Sequence, residues 1–182
     1  MSIYKFRVLL ESDEDIFRDI EIKSTQNFDD FHEIIVAAFG FDNSQMASFY
    51  MSNDDWDKGQ EITLFDMQIE EDQQEKVMVM ADTIINTQAN CVGTHILYAY
   101  DFLNMSNFFI ELMEIKVKED KDGFYPKVVY TQGEPPVQKP NLAEMSEEEM
   151  ASELLKDAGF NEDGDDPSGD IFEGFDDFEN YQ

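Results

Sequence analysis

The sequence predicts an α+β fold: a mainly antiparallel sheet with one principal helix packed on it, followed by a disordered acidic tail. Three observations point there. Two segments near the start alternate apolar and polar residues, a single stretch then shows helical spacing, and further short apolar runs follow, separated by Gly, Asn and Asp. Strands on both sides of one helix is the order expected when the helix covers one face of a sheet.

Ile3, Phe6, Val8 and Leu10 alternate with polar or basic positions and predict a half-buried strand over residues 3–10. Glu11 to Asp15 is a polar turn, and Ile16, Arg18, Ile20 and Ile22 predict the return strand of a hairpin, a β-grasp-like beginning. The period then changes. Asn27 is placed to cap a helix with Asp29 and Asp30 in its first turn, where acids suit the positive end of the helix dipole. Phe28, Phe31, Ile34, Ile35, Ala38 and Phe39 form one apolar face. Gly40 is the expected left-handed stop, with Phe41 folding back onto the helix.

Met46 to Met51 predicts a third strand, and Asn53 to Gly59 an acidic turn. Ile62 to Leu64 is a short strand or edge; residues 66–76 are loop or short helix; Val77 to Ala81 and Ile84-Ile85 are ambiguous apolar runs. His95 to Tyr100 and Phe108 to Val117 predict two long strands joined near Asn104, and Tyr125 to Tyr130 a last one before Gly133-Glu134-Pro135-Pro136 breaks the pattern. A folded domain over 1–140 and a tail over 141–182 follow. In the tail, Ser146 and Glu149 form a capping box ahead of Met150, Leu154, Leu155 and Ala158. This short helix, about 146–158, either docks on the core or binds a partner, and docking is the preferred reading.

Of the 182 residues, 42% are apolar, enough for one core plus a tail, and the formal charge is −30. Between Asn141 and Gln182, fifteen acids face only Lys156, a charge of −14 that leaves −16 for residues 1–140. A field of that sign repels phosphate backbones, so no direct binding of nucleic acid is expected and partners should be basic. The plain alternative is that acidity confers solubility. The tail argues for more, because Phe172, Phe175, Phe178 and Tyr181 recur at three-residue steps among acids, a composition suited to a basic, partly apolar groove.

Chemistry finds little to hold. Cys91 is the single cysteine, so no intrachain disulfide and no Cys-based zinc cage can form, and its default reading is a buried or idle thiol. His32 and His95 lack another His or Cys at ligand spacing, and His32, on a helix flank, is expected at the surface. The acidic run 161–170 resembles a calcium loop in composition only. Counting from Asp163 places Pro167 fifth, Ser168 sixth and Gly174 twelfth, where an EF-hand needs glycine sixth and glutamate twelfth. No phosphate-binding glycine loop occurs. No catalytic residue, metal or cofactor is therefore assigned. The N-terminus lacks a signal-like apolar run, and no stretch reaches the ~20 apolar residues of a membrane span, so a soluble cytoplasmic setting is expected. Trp56, the only tryptophan, sits among Asp54, Asp55 and Asp57. It either anchors a basic partner by stacking and cation–π contact or folds back as a lid on the core, the latter preferred.

Tyr98-Ala99-Tyr100-Asp101-Phe102, then Phe109-Ile110-Glu111, then Tyr125-Pro126 with Gly133 and Pro135-Pro136, resemble the plasmid pRiA4b ORF-3-like family from about residue 3 to 137. The family pattern runs Tyr-x-Tyr-Asp-Phe-Gly-Asp-x-Trp-x-His, Tyr-Pro-x-Cys and Pro-Pro-Glu-Asp. Here Leu103, Asn104, Ser106 and Phe108 occupy its glycine, aspartate, tryptophan and histidine places; Val128 stands for the cysteine, and Val137-Gln138 follows Pro-Pro. The resemblance implies an α+β domain tied by name to mobile elements, with every potentially reactive member of the pattern replaced. Tyr98, Tyr100, Asp101 and Phe102 are the matching positions, and read plainly they are a core strand edge.

The expectation is a non-catalytic interaction protein binding a basic surface of nucleic-acid machinery, RNA polymerase or the ribosome, in a transcription setting. Two alternatives stand beside it: a nucleic-acid mimic blocking a DNA-binding protein, and a ligand-binding or enzymatic domain with a pocket near Tyr98, Asp101 and His95.

Overall fold

The computed structural model describes residues 2–66, 77–102, 105–117 and 123–136. These form an α+β domain. Strands β1 (Ile3–Leu10), β2 (Phe17–Lys23), β3 (Ala47–Ser52), β4 (Lys58–Thr63), β5 (Met78–Val79), β6 (His95–Tyr100), β7 (Ser106–Lys116) and β8 (Lys127–Gln132) build one sheet in the order β5-β4-β3-β6-β7-β1-β2-β8. Pairing is antiparallel throughout the described residues except between β4 and β5. The principal helix, α1 (Phe28–Phe39), covers one face; a 3₁₀ turn (Met80–Asp82) and the single-turn α2 (Ile85–Gln88) lie near its start.

The ends of α1 follow from its sequence. The Asn27 side chain accepts from the Asp30 amide at 2.9 Å, with Asp29 and Asp30 in the first turn. Gly40 takes φ 69°, and the Phe41 amide returns to the Val36 carbonyl at 3.0 Å. Only glycine enters that left-handed turn without a Cβ penalty. Phe41 then stacks on Tyr100, ring centroids 5.2 Å apart. No basic residue lies in the last turn of α1, but Arg18 reaches across from β2 and donates to the Ala38 carbonyl at 3.1 Å.

Between α1 and the sheet lies an aromatic core. Phe31 stacks on Phe49 at 5.6 Å and meets Phe6 at 4.8 Å; Phe49 lies 4.5 Å from Tyr98, which meets Phe108 at 5.4 Å. All of these are essentially without solvent contact. Alternation places every second residue of the central strands β1, β6 and β7 here and its neighbour on the opposite, outer face.

The structure moves several boundaries. The expected strand at Tyr125–Tyr130 runs instead over Lys127–Gln132. β4 is longer than the Ile62–Leu64 expected, because Lys58 to Glu61 pair with β3 through their backbones without an apolar pattern to announce it. The run at 77–81 divides between β5 and the 3₁₀ turn. His32 is not a surface residue: it is 1% exposed, held between Tyr98 and Asn43. Cys91 is exposed, its Sγ 3.5 Å from the Thr94 hydroxyl. The loop at 67–76, the predicted 146–158 helix and the tail aromatics Phe172, Phe175, Phe178 and Tyr181 lie outside the described residues.

Candidate functional site

The two places singled out in the sequence fall on opposite faces of β6. Tyr98 and Tyr100 point inward. His32 Nε2 lies 2.9 Å from Asn43 Oδ1 and, since an amide oxygen only accepts, carries the proton there; Nδ1 therefore accepts from the Tyr98 hydroxyl at 2.7 Å. Burial holds the imidazole below its ordinary range and pushes the Tyr98 phenol well up, so both stay neutral. Tyr100 donates to the Asp42 carbonyl and to Asp42 Oδ1 at 3.0 Å; burial, then that carboxylate, raises its phenol as well.

Asp101 directly follows β6 with φ 54°, 6% exposed, and its carbonyl receives the Met105 amide at 2.6 Å. Phe102 beside it is 42% exposed. Phe108, in the histidine place of the family pattern, fills the core beside Tyr98 and lies 4.9 Å from Phe39. The Tyr98 side chain is thus packed and bonded on all its described sides, while His95, one face over, cannot join it. The structure does not bring Tyr98, Asp101 and His95 together.

It does bring His95 and Trp56 together. The β3–β4 turn is organised by Asn53, whose Oδ1 accepts from the amides of Asp55 (3.0 Å) and Asp57 (2.9 Å) and whose Nδ2 donates to Asp57 Oδ2 at 2.9 Å. Trp56 adopts φ 62° in this turn. That strained conformation, tolerated because the asparagine cage over-determines it, lays the indole flat over His95, centroids 4.2 Å apart and 20° from parallel. Its edge meets Phe109 at 5.0 Å and 81°. His95 Nδ1 lies 3.2 Å from the Asn53 carbonyl, an acceptor that fixes the proton on Nδ1.

Trp56 is therefore a lid, as preferred from sequence, but over the outer face of the sheet instead of the helix-covered core. Beside it is a cavity of about 200 Å³, lined among others by Tyr50, Trp56, Leu97, Phe109 and Met105, and by the charged Glu11 and Lys58. Tyr50 donates to Glu61 Oε1 at 2.9 Å, and burial, then that carboxylate, raise its phenol. The Lys58 ammonium stands 4.6 Å above the Tyr50 ring.

Tyr50, Leu97 and Phe109 were not identified from sequence as site residues. A signal was present: Ile96-Leu97-Tyr98 and Phe108-Phe109-Ile110 are continuous apolar runs, and a strand apolar on both parities is covered on both faces.

The wider comparisons agree with the fold. A family model described as "Plasmid pRiA4b ORF-3-like protein" matches residues 2–158. The chain belongs to this family. The match begins where β1 begins and continues past the described domain through the predicted 146–158 segment. Among solved structures, a protein of unknown function from Methanosarcina mazei Go1 superposes with a TM-score of 0.57 at 17% identity, over 71% of this chain and 68% of that one. At that identity the likeness speaks for the fold alone. No protein with a curated description matches significantly. Among the described residues, no helix is long and apolar enough to cross a membrane, and no three His, Cys, Asp or Glu side chains are grouped to hold a metal.

Proposed function

We propose that this protein is a non-catalytic, acidic interaction module of the cytoplasm that binds a basic surface of nucleic-acid machinery, RNA polymerase or the ribosome being the large targets. The observation that carries this reading is where the described bases are engaged. Lys5 and Arg7 lie against Asp19 at 3.8 and 2.8 Å; Lys116 and Lys127 bind Glu21. Arg18 is buried on the carbonyls of Phe17, Ala38 and Gln132, and Lys23 and Lys58 lie over Tyr125 and Tyr50.

The described bases are thus spent on internal contacts, while Asp13, Glu14, Asp15 and Asp55 are exposed and meet no cation within ion-pair distance among the described residues. What faces outward from these turns is negative, which steers basic surfaces inward and repels phosphate. Acids alternate with bases across β7, β1 and β2, as in Glu111–Arg7–Asp19 and Glu114–Lys5–Glu21. That interleaving differs from a phosphate-like row, and binding is preferred to nucleic-acid mimicry for this reason. The internal commitment of His32, Tyr98 and Tyr100 supports a non-catalytic role.

The test is binding of the full-length chain to purified RNA polymerase and to purified ribosomes across a salt series. A complex that weakens steeply with salt is expected, with faster dissociation when Phe172, Phe175 and Phe178 are changed together to Ser. Absence of a complex with either target at low salt would reject the target assignment, and an unaltered off-rate in the triple variant would remove the tail from it.

A further inference from the structure

We propose that the outer-face slot beside Trp56 receives an arginine side chain of the basic partner. This rests on the binding reading above and names its recognition element. Size is the first argument. At about 200 Å³ the slot falls below the roughly 300–1,000 Å³ typical of small-molecule sites, and suits one long side chain better than a nucleotide or cofactor.

Lining is the second. Trp56, Tyr50 and Phe109 supply aromatic surface, and aromatic faces attract cations. Charge is the third. Glu11 lines the slot and accepts from Asn107, Glu61 is bound to the Tyr50 hydroxyl, and the turn that carries Trp56 also carries Asp54, Asp55 and Asp57. Lys58 is the one base lining the cavity among the described residues, and its ammonium already stands over Tyr50, so a cation of the chain's own occupies part of the place an external cation would take. Lys58 is an internal competitor. Arginine fits better than lysine because its planar, weakly hydrated guanidinium stacks on a ring while forking onto a carboxylate. Trp56 needs no rearrangement to receive it, being held by the Asn53 cage and His95, which lowers the ordering cost of binding.

Trp56 is the only tryptophan, so its emission reports on this site alone. The full-length protein is titrated with a short poly-arginine peptide and a poly-lysine peptide of equal length, following tryptophan emission and, separately, anisotropy of labelled peptide. The arginine peptide is expected to change the emission saturably and to bind about fivefold more tightly than the lysine peptide. Trp56→Ser should abolish that preference, and Trp56→Phe should keep part of it. Lys58→Ala should tighten arginine binding by more than Lys23→Ala, which removes the same charge away from the slot.

Equal affinities for the two peptides, or equal effects of the two lysine substitutions, overturn the slot while leaving the acidic-surface reading intact. Failure of both peptides to bind at low salt overturns both readings, and binding of the lysine peptide alone overturns the slot. If Trp56→Ser does not fold, the Phe variant and the lysine pair still decide.

Discussion

Two histidines mark the two faces of this sheet, and they are used in opposite ways. His32, under α1, is sealed from water with both ring nitrogens bonded inside the protein, to Tyr98 and to Asn43. His95, on the outer face, spends one nitrogen on a turn carbonyl and its ring on supporting Trp56. The inner face is defined by volume and satisfied bonds, the outer face by charge and by an aromatic lid. A perturbation should therefore reveal its face by what it responds to: inner substitutions should change stability at any salt, while outer ones should change binding, or stability in a salt-dependent way.

The largest expected effect is on the inner face. Phe49 touches Phe28, Phe31 and Tyr98 and has no solvent exposure, so Phe49→Ala opens a cavity the surrounding rings cannot all fill. About 3–5 kcal/mol should be lost in denaturant unfolding. A loss under ~1 kcal/mol would mean that this face is not packed as described.

Next comes Tyr98→Phe, which leaves ring packing in place and removes one hydroxyl. His32 Nδ1 is then a buried acceptor without a donor, at a cost of about 1–3 kcal/mol. The same substitution should leave peptide binding at Trp56 unchanged, since the hydroxyl points to the other face.

The pH dependence of stability sharpens the contrast. His32 titrates below its ordinary value near 6.5 in the folded protein because burial disfavours the imidazolium. Its neutral form is favoured by folding, so the unfolded chain takes up the proton first as pH falls. Stability should thus decline with acidification from about pH 6.5 down to the lower folded value, and His32→Gln should flatten that slope. For Glu21, burial raises the carboxyl, but the bonds to Lys116 and Lys127 outweigh it, and the group titrates below its ordinary 4.5. Its contribution is therefore lost only below about pH 4.5. An unchanged slope between pH 6.5 and 4.5 in the His32 variant would refute the buried neutral assignment.

How far the sequence reached follows the same division. The elements of the inner face were legible because periodicity reports burial directly: the Phe28–Phe39 spacing, the Asn27 cap and the Gly40 stop all appear as read. β4 was read short because its exposed Lys58–Glu61 stretch, held to β3 by backbone bonds, leaves no side-chain pattern. His32 was misplaced because a histidine on the margin of an apolar stripe gives no local sign of the tyrosine waiting 66 residues later. Trp56 was legible as a lid, though its destination was not, since that depends on the left-handed turn and on β6 meeting β3. The alternative of a ligand pocket misdirected in one respect. Grouping Tyr98 and Asp101 with His95 ignored the alternation that sends His95 to the other side.

The smallest effect expected is also the one that isolates the outer face. Arg7 makes two bonds to Asp19, 2.8 and 3.0 Å, and its guanidinium lies 4.4 Å from the centre of Phe17. Asp19 is nearly buried, but Arg7 is 41% exposed, so solvent screening discounts the pair, and Lys5 remains 3.8 Å away to compensate Asp19 if Arg7 is lost. Arg7→Ala should therefore cost only about 0.5–1 kcal/mol, much of it lost packing on Phe17. A double-mutant cycle with Asp19→Asn isolates the ionic part, and that part should shrink as salt is raised. If the coupling is salt-independent, the pair behaves as buried, the outer face is more enclosed than its exposure indicates, and the distinction between a volume-controlled and a charge-controlled face fails at the point where it is easiest to measure.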